Sequence, residues 1–116
     1  MKDDREVIGL MLYYCEAIQS DLSFVENDME NFLENNTIQR SCSFSLFQIG
    51  ECSKRLSDRI KTRYGHIDWS GTARLRDVIG HRYEVIIVEE LWNIIIDDVP
   101  VLREELKKIL ADYKKE

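Results

Sequence analysis

The chain has 116 residues, a length typical of one domain, and 44% of them are hydrophobic while 33% are charged. This balance excludes a disordered chain, and one proline and five glycines are too few for a fold of many strands and turns. The 16 basic and 22 acidic residues give a net charge of −6, which argues against a protein that coats nucleic acid by bulk charge. We therefore expect one helical domain over residues 1–116.

The cysteines and the N-terminus exclude several other classes of protein. Cys15, Cys42 and Cys52 are odd in number and lack a C-x-x-C spacing, so they predict neither a disulfide framework nor a zinc site. Residues 1–6 are too acidic for a signal peptide, and no stretch approaches the roughly 18 apolar residues of a membrane span. These features predict a soluble cytoplasmic chain with buried thiols.

Apolar residues recur at helical spacing along the first half of the chain. The first stripe follows acidic residues that favour a helix N-terminus, and it contains Val7, Met11, Tyr14, Cys15 and Ile18. Residues 20–36 are interpreted as a partly helical connection that breaks at Asn35-Asn36. Thr37 is expected to cap a second helix that ends at Tyr64 before Gly65. The predicted buried stripe of this helix is Ile38, Cys42, Ser45, Ile49, Cys52, Leu56 and Ile60.

The second half of the chain continues the helical pattern. Residues 65–69 are predicted to form a connector, and Ser70 is expected to cap a third helix that runs through Arg82. Pro100 interrupts the last apolar pattern, so we expect a kink or a fresh start after Asp97-Asp98. The apolar residues of this last segment are Leu91, Trp92, Ile95, Ile96, Leu102, Leu106, Ile109 and Leu110. The predicted fold is all-α, an up-and-down bundle of four to five helices.

The chain has two histidines, and they differ in their surroundings. His66 lies in the predicted connector between aromatic residues, and we interpret it as structural. His81 lies four residues after Asp77, on one helix face where a carboxylate can orient the imidazole and favour its protonated form. Arg76 precedes His81 by five residues, about 140° around an ideal helix. The two side chains converge only if the guanidinium wraps around the helix or Gly80 loosens the turn.

An imidazole and a guanidinium in this segment suit attack on a phosphate. His81 would deprotonate a 2′-hydroxyl of RNA or protonate the leaving 5′-oxygen, while Arg76 would stabilise the charge that gathers on phosphorus. No carboxylate cluster has metal-ligand spacing, so neither a metal nor a cofactor is predicted. One histidine does not easily serve as both acid and base, and a symmetric dimer would supply the second.

The R-x4–6-H pattern is weak evidence by itself. The chain contains nine arginines, so a chance match is expected, and Arg74 also fits the longer spacing. On that evidence alone, a structural histidine at a helix end beside Tyr83, with arginines facing solvent, is the better interpretation.

A longer series of residues resembles one protein family. Its parts are Ile49-Gly50-Glu51, Lys54-Arg55-Leu56-Ser57, Tyr64, Ile67-Asp68-Trp69, the run from Arg76 to Tyr83, Leu91-Trp92 and Val99-Pro100-Val101-Leu102. In this order, residues 49–110 resemble the HepT-like family of HEPN-domain proteins, the toxin half of HepT/MNT toxin–antitoxin modules.

The resemblance implies a HEPN-like helical homodimer that acts as a metal-independent endoribonuclease, the toxin of a type II/VII-like toxin–antitoxin module. It implies that Arg76 and His81 are catalytic and that Asp77 supports them. It also implies that an MNT-type nucleotidyltransferase antitoxin neutralises the enzyme, and that Tyr83 can be AMPylated by this partner. Asp77 stands where the family more commonly has asparagine, and its negative charge is expected to weaken RNA binding. The alternative is a non-catalytic helical dimer that binds a nucleotide or a partner protein through the same Arg76/His81 face.

The charges are unevenly distributed along the chain. Residues 1–36 carry a net charge of −7, residues 53–82 carry +5 and residues 83–116 carry −4. Positive charge therefore gathers on the part of the chain that leads into and contains the predicted site. The acidic total disfavours indiscriminate RNA coating, but the distribution favours a local phosphate-binding cleft.

Overall fold

Every regular element in the described part of the chain is helical, which confirms the all-α prediction. The computed structural model describes residues 3–72 and 88–115. The helices are α1 Asp4–Ser23, α2 Met29–Leu33, α3 Asn36–Arg55, α4 Asp58–Arg63, α5 Val88–Asn93 and α6 Val99–Lys114. A π-helical turn, Ile94–Asp98, joins the last two, and residues 69–72 are also helical. Within the described ranges, no helix has the length and apolar character that crossing a membrane requires.

The core lies between the three long helices, because α1 packs against both α3 and α6. The predicted stripe of α1 is buried apart from Tyr14, which is partly buried, and every residue of the stripe predicted for the second helix is buried. Leu106 and Ile109 of α6 complete this core. The predicted acidic start of α1 is also present, since the Asp3 carboxylate accepts a hydrogen bond of 2.9 Å from the backbone N–H of Glu6.

The second predicted helix begins slightly earlier than expected. Asn35, and not Thr37, is its N-cap, because the Asn35 side-chain oxygen accepts a 2.9 Å hydrogen bond from the N–H of Ile38. The prediction of Thr37 as the cap is therefore wrong, although asparagine and threonine are both favourable at this position. Gln39 secures the turn before α3 by donating to the carbonyl oxygens of Phe32 and Leu33 at 2.9 and 3.1 Å.

The predicted helix to Tyr64 is in fact two helices. α3 ends at Arg55, Leu56 is extended, and Ser57 caps α4 by accepting a hydrogen bond from the N–H of Ile60 at 3.3 Å. Asp4 of α1 stabilises this break, since its carboxylate accepts from the N–H of Ser57 at 2.9 Å and also from the Ser57 hydroxyl. Leu56 and Ile60 are buried on both sides of the break, so the apolar spacing conceals it.

Replacing Asp4 with alanine is expected to lower the free energy of unfolding by about 1 kcal/mol, because the start of α4 loses two acceptors. Urea denaturation followed by circular dichroism measures this loss. Glu6→Ala is the matched control, since Glu6 also lies in the first turn of α1 but its exposed carboxylate does not contact Ser57. An equal loss in both variants would contradict the role of the Asp4–Ser57 contact.

The predicted interruption at Pro100 takes the form of the π-helical turn. The N–H of Val99 bonds to the carbonyl oxygen of Ile94, five residues earlier, and Pro100 falls in the first turn of α6. A proline at this position costs little, because the first turn of a helix does not use its N–H groups internally. Ile95 and Val99 are buried, whereas Ile96 is 37% exposed, so the predicted apolar segment is only partly in the core.

Candidate functional site

The predicted site residues Arg76, Asp77, His81 and Tyr83 lie outside the described residues, as does Arg74. The structure instead shows the two parts of the chain that flank them. Residues 64–72, which we call the connector, lead into this segment, and α5 follows it. The contacts of these two flanks define where the segment is attached to the bundle.

The helical residues at the end of the connector begin at an aspartate cap. The Asp68 carboxylate accepts a 2.8 Å hydrogen bond from the N–H of Gly71, and the Asp68 carbonyl oxygen accepts from the N–H of Thr72 at 3.0 Å. The prediction that Ser70 caps this helix is wrong, because residues 69–72 are already helical. A Cβ atom at residue 71 would collide with the Asp68 carboxylate, so glycine suits this cap. Asp68 is itself a favourable capping residue, and that signal was available in the sequence.

Trp69 attaches the connector to the core. Its side chain is 8% exposed, and its indole N–H donates a 3.1 Å hydrogen bond to the carbonyl oxygen of Tyr64. The hydroxyl of Ser53, which is fully buried in α3, donates to the Trp69 carbonyl oxygen at 3.3 Å. Trp69 is thus part of the core, and it holds the chain in place shortly before the predicted site.

Two side chains of the connector reach α6. The Tyr64 hydroxyl donates a 2.7 Å hydrogen bond to the Asp112 carboxylate, and the His66 Nε2 atom lies 2.8 Å from Glu105 Oε2. These contacts agree with the interpretation of His66 as structural. The partners are 39 and 48 residues away in sequence, so no local pattern predicts them. The connector is therefore held by α3 on one side and by α6 on the other.

The contact with His66 lowers the pKa of Glu105, with a smaller contribution from Lys108. A carboxyl group with a lowered pKa stabilises the fold above its ordinary pKa, and this stabilisation is lost as the pH falls through the lowered value. We expect His66→Ala to raise the pKa of Glu105 towards its ordinary value, and Lys108→Ala to raise it less. Carboxyl chemical shifts followed through an acid titration measure both effects. An unchanged pKa in His66→Ala would contradict this assignment.

The chain after the predicted site is held by α2. Leu91 of α5 is 1% exposed, and the ring of Trp92 lies against the ring of Phe32 with 5.2 Å between their centroids. Phe32 is fully buried in the five-residue helix α2, which is too short to be stable without such packing. The Phe32–Trp92 contact therefore attaches α5, near its C-terminal end, to the rest of the bundle.

Other chemistry is disfavoured in the described part of the chain. All three cysteines are buried, and burial raises the pKa of Cys15 and of Cys42 to about 12, so neither is a thiolate nucleophile near neutral pH. Across residues 3–72 and 88–115, no three His, Cys, Asp or Glu side chains are grouped as metal ligands.

The chain is similar to several proteins that are named as ribonucleases. "Putative RNase MJ0127" of Methanocaldococcus jannaschii is 36% identical over 114 residues, which cover 97% of this chain and 94% of that protein. "Probable ribonuclease HepT" of Thermococcus cleftensis is 30% identical over 108 residues, covering 93% and 94% of the two chains. "Putative RNase TTE0752" of Caldanaerobacter subterraneus subsp. tengcongensis is 26% identical, with 98% and 100% covered. No solved structure matches the chain at a significant level.

The family model described as Ribonuclease HepT-like matches residues 12–109. This range includes α3, the connector, the predicted catalytic residues and most of α6. It also extends the resemblance of residues 49–110 into α1. The chain belongs to the HepT-like ribonuclease family.

Proposed function

We propose that this chain is an endoribonuclease that cleaves RNA without a metal ion and that Arg76 and His81 are its catalytic residues. The observation that carries the proposal is the family match over residues 12–109, within which Arg76 and His81 have the R-x4-H spacing. The anchored connector and α5 support it, because they attach both ends of this segment to the core. Rigid attachment of a site is what precise positioning of catalytic groups requires.

The proposed reaction uses the 2′-hydroxyl of the RNA as its nucleophile. A 2′-oxygen–phosphorus bond forms while the bond from phosphorus to the 5′-oxygen breaks, which leaves a 2′,3′-cyclic phosphate and a 5′-hydroxyl end. His81 takes the 2′-hydroxyl proton or gives a proton to the leaving 5′-oxygen, because an imidazole titrates near neutral pH. Arg76 binds the non-bridging phosphate oxygens and stabilises the charge that they gain in the transition state.

A homodimer would complete the acid–base pair. One imidazole holds one proton, whereas the reaction removes a proton from one oxygen and adds a proton to another. Two copies of the segment across a two-fold axis would place a second His81 opposite the first. Sedimentation analysis tests this part of the proposal, and a monomeric enzyme with full activity would contradict it.

We further propose that the enzyme is a toxin neutralised by an MNT-type nucleotidyltransferase, with Tyr83 as the site of AMPylation. An adenylyl group on Tyr83 would add bulk and negative charge near Arg76 in the sequence, and it would compete with RNA phosphate for the guanidinium. The partner would transfer AMP from ATP to the Tyr83 hydroxyl and release pyrophosphate, so incubation with ATP and such a partner is expected to raise the mass of the chain by one adenylyl group. The same increase in Tyr83→Phe would contradict this site.

The experiment that tests the nuclease is cleavage of RNA by the purified chain in the presence of EDTA. We expect cleavage, with cyclic phosphate ends on the products, and we expect folded Arg76→Ala and His81→Ala variants to lose it. RNA that is bound but never cut would instead favour the binding-only dimer. Undiminished cleavage by His81→Ala would overturn the catalytic assignment.

A further inference from the structure

A basic surface lies directly before the connector. We call it the basic ridge, and it consists of Lys54, Arg55, Arg59, Lys61 and Arg63. Asp58 is the one acidic residue between residues 54 and 63, so this stretch has a net charge of +4 in a chain whose total is −6. Lys61 is partly buried, and the other four cations are exposed. The ridge is thus a local concentration of positive charge that faces solvent.

The break between α3 and α4 determines how the ridge is presented. Leu56 is extended and only 5% exposed, whereas Arg55, the last residue of α3, is exposed to solvent. Ile60 is 4% exposed and anchors α4, which leaves Arg59 and Arg63 on the outer face. These two arginines are four residues apart, so they lie on one side of α4, about 6 Å apart along its axis.

The ridge differs from the other basic cluster of the described chain. On α6, three cations form ion pairs with nearby carboxylates: Arg103 with Glu16 and Glu104, Lys107 with Glu104, and Lys108 with Glu105. Within residues 3–72 and 88–115, by contrast, no carboxylate forms an ion pair with Arg55 or Arg59. Unneutralised arginines on a chain with an acidic total are available to bind an anionic partner.

We propose that the basic ridge binds the phosphate backbone of RNA, in addition to the contacts of Arg76 and His81, an inference that rests on the proposed function. A guanidinium binds phosphate oxygens through two parallel N–H groups. The connector, residues 64–72, is the only stretch of chain between the ridge and the segment that carries the predicted catalytic pair, so the two are close in sequence. The acidic remainder of the chain repels RNA and thereby restricts binding to this side.

The test measures RNA binding in a His81→Ala background, where RNA is not cut. A labelled single-stranded RNA is titrated with protein at several salt concentrations, with and without Arg55→Gln and Arg59→Gln. We expect the double variant to weaken binding on the order of tenfold, and the slope of log affinity against log salt to fall by about 1.4, or about 0.7 for each phosphate contact. Lys107→Gln with Lys108→Gln is the matched control, because it removes the same charge from paired lysines, and little change is expected.

Further variants and competitors separate the possible explanations. Arg55→Lys with Arg59→Lys retains the charge, so it is expected to restore most of the salt dependence even if the glutamine variant folds poorly. A salt slope equal to that of the control variant would overturn the proposal. Displacement of the labelled RNA by a polyglutamate peptide as effectively as by unlabelled RNA would also overturn it, because it would indicate a site for acidic proteins. If the wild-type chain cleaves RNA but the glutamine variant has an unaltered salt slope, the nuclease proposal is retained and the proposal for the ridge is wrong. If RNA binding depends on the ridge but the wild-type chain does not cleave RNA, the ridge binds RNA and the nuclease proposal is wrong.

Discussion

Replacement of His81 with alanine is expected to lower the rate of RNA cleavage by about 10²–10⁴, the usual contribution of a general acid or base. The loss arises because no other group in the segment from Arg74 to Tyr83 titrates near neutral pH. Single-turnover cleavage of a labelled RNA measures the chemical step, while circular dichroism verifies the fold. A rate within threefold of wild type, about the scatter expected for a neutral substitution, would remove His81 from the mechanism.

The two arginines near His81 provide a matched comparison. Arg76→Ala is expected to reduce the cleavage rate by about 10²–10³, because it removes a donor to the charge that develops in the transition state. Arg74→Ala removes the same charge only two residues away and is expected to change the rate by less than about tenfold. The opposite order would identify Arg74, which is separated from His81 by six intervening residues, as the catalytic arginine.

The second large effect concerns Phe32, whose removal is expected to lower the free energy of unfolding by about 3–5 kcal/mol. Phe32 is fully buried, and its ring packs against Trp92 of α5. Alanine would leave a cavity between α2 and α5 and would remove the aromatic contact. Because small domains have a free energy of unfolding of only about 5–15 kcal/mol, this one substitution removes a large part of the stability of the fold. Urea denaturation measures the change.

Phe24→Ala is the control for this variant. Phe24 lies directly after α1 and is 75% exposed, so its removal creates no cavity and is expected to change the stability by about 0.5 kcal/mol or less. Comparable losses in the two variants would mean that Phe32 is not the anchor of α2. RNA cleavage should also fall more in Phe32→Ala than in Phe24→Ala, because α5 directly follows the predicted catalytic segment.

The periodicity of apolar residues was sufficient to predict the core. Val7, Met11, Cys15 and Ile18 of α1 are all buried as expected, and so is the predicted stripe from Ile38 to Ile60. This signal is reliable because a helix that packs on one side must repeat its apolar residues every three to four positions. It does not reveal where a helix stops, since Leu56 and Ile60 keep the spacing across the break between α3 and α4.

Caps were predicted less well, because several residue types compete for the same role. Thr37 and Ser70 were the predicted caps, whereas Asn35 and Asp68 are the caps in the structure, although all four residues can cap a helix. The kink near Pro100 was predicted from its missing N–H, and the π-helical turn before it is the form that the kink takes. Arg76, Asp77, His81 and Tyr83 remain predictions of the sequence and of the family resemblance.

The scarcity of proline and glycine and the helical spacing of apolar residues were sufficient to predict the broad class of this protein, an all-α domain. The R-x4-H motif within the family pattern identified the chemistry to expect. Only the tertiary structure showed how the chain that leads into the predicted site is held. Asp4 accepts hydrogen bonds from Ser57, 53 residues later, and α6 binds Tyr64 and His66 of the connector. The physical reason is that composition and periodicity report on local structure and burial, whereas these hydrogen bonds join side chains that are distant in sequence.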